Sequence, residues 1–242
     1  MFKADLRPAH LAIGSRRIHY GWVIVVIAST IGSITSAVRF AATALVPHLR
    51  DSASGLGWSY GAITLGFSLQ WFVLGIVSPY VGWLGDRYGA RRLLLFGAFL
   101  FIAGMLLTGI MTSLWQFYLF FGVMLGVSTT VFSILLVTGV TLWFRRRLGV
   151  AMGAMGSVQG IGTIAFLFLI AVAFDVLGMK WIFWIPGIAG GAIVLLLIKF
   201  FYNEPGDIGL RPLGAPEGAP VHRPQNDAMA QIRAKVFLRQ AQ

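Results

Sequence analysis

Apolar runs of bilayer length alternate along this chain with short polar breaks, and the breaks take turns being basic and nearly neutral. The first run covers residues 22–46 and is interrupted by a single charge, Arg39. A polar loop carrying His48, Arg50 and Asp51 leads to a second run at 58–84. The third, 93–112, is joined through Ser113 to the fourth, 115–144. The fifth, 148–174, ends at Asp175, and the sixth, 181–202, ends at Asn203-Glu204-Pro205. Each meets the ~20 apolar residues a helix needs to cross hydrocarbon. The pattern predicts an all-α integral membrane protein, with a bundle of six transmembrane helices over residues 21–203.

Composition removes the competing classes. Hydrophobic residues make up 57% of the 242, charged residues 11%, and mean hydropathy is +0.81. A soluble domain carries roughly 25% charged residues, so this chain lacks the polar groups to cover a surface facing water. The net charge of +11 does not imply nucleic acid as a partner, because the basic residues sit at the ends of apolar runs instead of forming a stripe. The partner implied is a lipid bilayer. Cysteine is absent, which excludes disulfide and thiol chemistry.

The placement of the basic residues orients the bundle. Four lie in the leader 1–20, three in the turn 82–92, three at Arg145-Arg146-Arg147 and six from Lys199 onward. Arg50 and Lys180 are the two on the other side. This asymmetry predicts a multi-pass protein of the cell (inner or plasma) membrane with both termini cytoplasmic. Residues 204–226 are Pro-rich and predict an open, solvated cytoplasmic linker. Residues 227–242 predict a short basic amphipathic helix on the membrane surface, interrupted before a seventh span.

Between the second and third runs stands Gly82-Trp-Leu-Gly-Asp86-Arg87-Tyr-Gly89-Ala-Arg91-Arg92. Any basic turn can serve orientation alone, but this spacing is more specific. It resembles the signature of the major facilitator superfamily. The stretches 19–25 (HYGWVIV), 143–153 (WFRRRLGVAMG) and 204–210 (EPGDIGL) resemble its oxalate/formate antiporter and monocarboxylate transporter branch. The resemblance covers residues 19–210. It implies a carrier of two six-helix bundles working by alternating access, of which this chain would be the first. It also implies a conformational latch made by Gly82, Asp86, Arg87, Gly89, Arg91 and Arg92. Arg145, Arg146 and Arg147 would be partners for Asp86, expected at the start of the third helix, and a helix of a second bundle would complete the latch.

Arg39 is the leading candidate for a binding residue. It lies 17 residues beyond Trp22, about 26 Å along a helix, and an ionised group within a span is costly. One reading has it snorkel to the outer interface. The other has it face the bundle interior and grip a carboxylate with two hydrogen bonds, as the resemblance to monocarboxylate transporters implies for a cation in the first helix. Gln159, Gln70, Ser128 and Thr129 are the neutral candidates, although serine and threonine in helices usually bond to their own backbone. Trp71 reads as packing or interface. Gly149, Gly153, Gly156 and Gly160 form small-xxx-small pairs in the fifth run, which predict close helix packing, a hinge, or both.

No Asp or Glu lies deep within a span, the four histidines do not cluster, and neither a nucleophile elbow nor a phosphate-binding loop is present. The expectation is therefore no enzyme, no metal and no cofactor. The resemblance, with Arg39, implies a secondary transporter of small organic anions such as mono- or dicarboxylates, completed by a second bundle from another copy or a separate chain. The alternative is a truncated or half-size membrane protein with no transport activity alone.

Overall fold

The structure, a computed structural model, describes residues 10–13, 16–44, 46, 57–144, 146–177, 179–202, 205 and 213. A small antiparallel hairpin comes first, β1 (His10–Ile13) against β2 (Arg16–His19), with His10 opposite His19. The sequence pattern did not predict it. The chain then enters a helical membrane bundle: α1 (Tyr20–Ala44), α2 (Tyr60–Tyr88), α3 (Ala90–Thr108), α4 (Leu114–Trp143), α5 (Leu148–Leu177) and α6 (179–199). The first five are long and apolar enough to cross a membrane. In α6, the apolar helical stretch Phe183–Lys199 is shorter.

Local chemistry sets the helix ends. Ser59 caps α2 by accepting from the Ala62 amide at 3.3 Å. Gln116 Oε1 accepts from the Thr112 and Ser113 amides at 2.8 and 3.2 Å, closing a capping box at the start of α4. Gly89, at φ 85°, separates α2 from α3 in a conformation that L side chains rarely adopt. Two π-helical turns widen the ladder, at Tyr118–Met124 in α4 and Pro186–Gly190 in α6.

Helices α1 and α4 are the interior of the bundle. Of the α1 span 72% is buried, against 11% for α5 and 22% for α2. Helix α4 touches α1, α2, α3 and α5, while α1 packs mainly on α5. The core is aromatic and aliphatic, with Phe101, Phe117, Phe121, Phe132, Trp143 and Phe201 fully buried. Phe117 and Phe121 stack at 5.1 Å. Helices α2 and α4 cross knob into gap: Leu69 fills the space at Gly122, and Val73 that at Gly126. Large apolar side chains are left outside, among them Phe72, Phe99, Ile164 and Phe168, and suit hydrocarbon or another apolar surface, not water.

At the basic end of the bundle, aromatic side chains tie three helix termini together. Tyr20 donates its hydroxyl to the Phe200 carbonyl at 2.7 Å, and Trp143 Nε1 donates to the Tyr202 carbonyl at 3.3 Å. The Tyr20 and Trp143 rings are 5.3 Å apart. Leu213 joins this cluster: its amide donates to the Trp143 carbonyl at 2.9 Å, and its carbonyl accepts from the Arg146 amide at 3.1 Å. A helix leaves its last carbonyls without partners, and Leu213 supplies one. Pro205 is buried as well. Pro205 and Leu213 are the two described residues of the stretch read as a linker. The rest of 206–226, and the predicted surface helix at 227–242, lie outside the described residues.

Candidate functional site

Helix α1 carries Arg39 where α2 and α4 converge on it. Arg39 Nη2 donates to Thr129 Oγ1 of α4 at 3.0 Å, and the guanidinium lies 4.7 Å from the centre of the Trp71 ring of α2. The side chain is therefore held by two neighbouring helices. Thr129 can serve because its own hydroxyl donates to the Gly126 carbonyl at 3.2 Å, leaving its lone pairs to accept. Trp71 offers the π face that best suits a guanidinium in a desolvated place.

The seam between α1 and α5 lies one turn along α1 from Arg39. Ser29, Gly32, Ser33 and Ser36 line one face of α1, and Gln159 of α5 reaches into it. Gln159 Nε2 donates to Ser36 Oγ at 3.1 Å. The Ser33 and Ser29 hydroxyls donate within α1, to the Ser29 and Val25 carbonyls at 2.7 Å each, and stand 3.1 and 3.3 Å from the Gln159 and Met155 carbonyls of α5. A methyl group at Gly32 would stand 2.8 Å from Gln159 Cδ, so that glycine is what admits the amide.

The remaining neutral candidates are buried and committed to backbone. Gln70 Nε2 donates to the Phe121 carbonyl at a long 3.5 Å, beside the π turn of α4. Ser128 donates to the Gly97 carbonyl of α3 at 2.8 Å. Both act as struts between helices. Trp71, read from the sequence as packing, is the partner missed; its position two helical turns before Pro79 carries no signal of what it faces. The α1 serines were missed as well, although their spacing at 29, 33 and 36 places them on one helical face.

The basic turns are arranged differently from expectation in one respect. Helix α2 continues through Tyr88, so Asp86 lies in the last turn of α2 and not at the start of the third helix. A helix does not stop where the hydrocarbon stops, and the backbone ladder runs on until Gly89. Asp86 is exposed. Arg87 lies over Trp83 at 5.2 Å and Tyr88 at 5.6 Å. Gly85 lets Leu135 of α4 approach so closely that a methyl group on the glycine would stand 2.6 Å from it, whereas at Gly82 nothing lies within 4 Å. Arg91 and Arg92 are exposed in the first turn of α3. Arg147 opens α5 with a left-handed φ of 64°, and its carbonyl accepts from Val150 and Ala151. Arg146 is exposed and Arg145 lies outside the described residues.

Gly149, Gly153, Gly156 and Gly160 lie on the outer face of α5. All four are exposed, with nothing within 4 Å of where a side chain would begin. Among the described residues they pack against no other helix. The close approach of α5 to α1 comes from Gly162, against Ser33, and from Gly32.

The sequence profile of the Major Facilitator Superfamily matches residues 20–239. The chain belongs to that superfamily. Among curated proteins it is similar to the oxalate:formate antiporter of Oxalobacter formigenes, with 28% identity over 193 residues, 78% of this chain and 44% of that protein. It is also similar to the uncharacterized MFS-type transporter YhjX of Escherichia coli, with 29% identity over 158 residues, 65% of this chain and 36% of the relative. The MFS-type transporter pynF of Aspergillus niger shares 31% over 114 residues, 47% of this chain and 26% of its own length. The chain thus spans less than half the length of these relatives.

Proposed function

We propose that this chain is the first bundle of a secondary transporter of small organic anions, working by alternating access, with Arg39 as the cation that meets the substrate carboxylate. The observation that carries this reading is the setting of Arg39, bonded to Thr129 and lying on Trp71. Held between helices, the guanidinium keeps its charge inside the bundle, where it can offer a carboxylate two parallel N–H groups. A lysine there would present one flexible point charge. Gln159 stands close by along α1 and is the second candidate contact. Gln70, Ser128 and Thr129 position the helices around them. The similarity to an oxalate:formate antiporter favours mono- and dicarboxylates as the substrate class.

A second six-helix bundle completes the carrier in this reading, supplied by another copy or a separate chain. The bare faces of α2 and α5, with the four glycines on α5, support that partner. The turn at Gly82–Arg92 and the arginines at 145–147 form the latch on the cytoplasmic side, to which both termini are assigned by the distribution of basic residues.

The test is uptake of labelled oxalate, formate or lactate into proteoliposomes holding the chain together with its completing bundle. Arg39→Ala abolishes uptake and Arg39→Lys reduces it at least tenfold, a loss of about 1.4 kcal/mol. Full uptake by Arg39→Ala removes the anion site. Absence of uptake by the unaltered pair removes the transporter reading.

A further inference from the structure

Arg39 is held at one edge and on one side. A guanidinium is planar and carries its N–H donors in a fixed fork. Two of its edges present a parallel pair of donors, Nη1 with Nη2 and Nε with Nη2, and Nη2 gives a different hydrogen to each pair. Thr129 Oγ1 accepts one of those two hydrogens at 3.0 Å. One edge is thereby spent and the other is left whole. Thr129 is buried, and its own hydroxyl is committed to the Gly126 carbonyl at 3.2 Å, so this acceptor is fixed in place. The second restraint comes from another helix. The guanidinium carbon lies over the Trp71 ring, 4.7 Å from its centre. An aromatic face is the negative side of the ring quadrupole, so it attracts the cation and repels an anion. Approach from the Trp71 side is closed by bulk and by charge.

We propose that Thr129 and Trp71 are positioning residues that leave Arg39 a single two-pronged edge, so that the site takes flat carboxylates in preference to spherical anions such as chloride. This rests on the reading of Arg39 as an anion site and names what that site selects. A carboxylate meets the open edge with both oxygens at once, in two parallel charge-assisted hydrogen bonds. Chloride carries the same charge but has no second atom for the second prong. A further hydrogen bond to a charged group is worth about tenfold in affinity. Pre-positioning adds to this. A guanidinium on a free stem has to be ordered when the ligand arrives, whereas one fixed by α2 and α4 has already lost that freedom on folding. Chloride, having no orientation to match, gains little from the same restraint.

The experiment titrates the full chain, in nanodiscs and with isotope-labelled arginine, with sodium formate and separately with sodium chloride. The Arg39 Nε–H signal is followed by NMR and identified by its loss in Arg39→Lys. The unaltered chain is expected to bind formate about tenfold more tightly than chloride. Thr129→Val keeps the volume and loses the acceptor; it weakens formate about tenfold and chloride less than about twofold. Thr129→Ser keeps the acceptor and recovers formate binding. Trp71, which is 60% exposed, can be changed without opening a hole in the core. Trp71→Leu repeats the selective loss, and Trp71→Phe recovers part of it. A merely structural role weakens both anions alike, and that result overturns the proposal. Equal binding of the two anions by the unaltered chain, or a formate preference that neither Thr129→Val nor Trp71→Leu reduces, overturns it too. An Arg39 signal that answers neither anion removes the anion site itself, a failure distinct from lost selectivity.

Discussion

On one face of α5, Gly162 makes room for Ser33, and Gln159 reaches past Gly32 to Ser36. On the other, Gly149, Gly153, Gly156 and Gly160 stand at the same helical spacing with nothing within 4 Å. The same residue type does opposite things on the two faces. The first set is spent on the fold of this bundle: small residues let α1 and α5 approach closely enough for their hydroxyls and amide to pair, where lipid supplies no hydrophobic drive. Among the described residues the second set makes no contact, which fits the proposed second bundle. Cost to stability should therefore divide the two faces, and substitution at single positions can break that division.

The largest effect is expected at the glycines filled by neighbouring rings. Gly139→Val, opposite the Phe201 ring at 2.5 Å, and Gly66→Val, opposite Phe117, overpack the core and cost about 1–3 kcal/mol each or prevent folding; thermal unfolding in detergent measures this. Gly32→Ala comes next, displacing the Gln159 amide from Ser36. Its loss should match that of Gln159→Ala at about 0.6 kcal/mol, typical of a hydrogen bond between membrane helices. In the double variant the losses should not add, because both remove one interaction. The smallest effect belongs to Gly153→Ala and Gly156→Ala, within about 0.5 kcal/mol of the unaltered chain. A destabilisation there as large as at Gly139 would sink the comparison. Gly156→Leu sharpens it: unfolding stays unchanged while association with the proposed second bundle, measured by copurification, is lost.

The bundle was largely legible because hydrophobic length alone decides what spans a membrane. Helices α1 to α5 begin and end within about four residues of the runs read from the sequence, the scatter expected of helix boundaries. Helix ends were less legible, because hydrogen bonding continues past the apolar boundary: α2 carries Trp83, Leu84 and Asp86 in its last turns and stops only at Gly89. Arg39 stood out because charge in a span is rare, and Gln159 because a long amide in mid-helix needs partners. Trp71 was illegible since an indole in a span fits lipid, core and cation equally well, and only the reach of Arg39 from α1 selects among them. The direction of the glycine row was hidden for a related reason. Periodicity puts four residues on one face without saying what, if anything, lies opposite.

The tie among Tyr20, Trp143, Phe200, Tyr202 and Leu213 has a mechanical consequence. It fastens the start of α1 and the ends of α4 and α6 into one block, while the π turn Tyr118–Met124 lies toward the other end of α4 and Pro186–Gly190 at the middle of α6. Stiffness is therefore graded along the membrane normal. A load on the bundle is expected to bend it away from the clamped end.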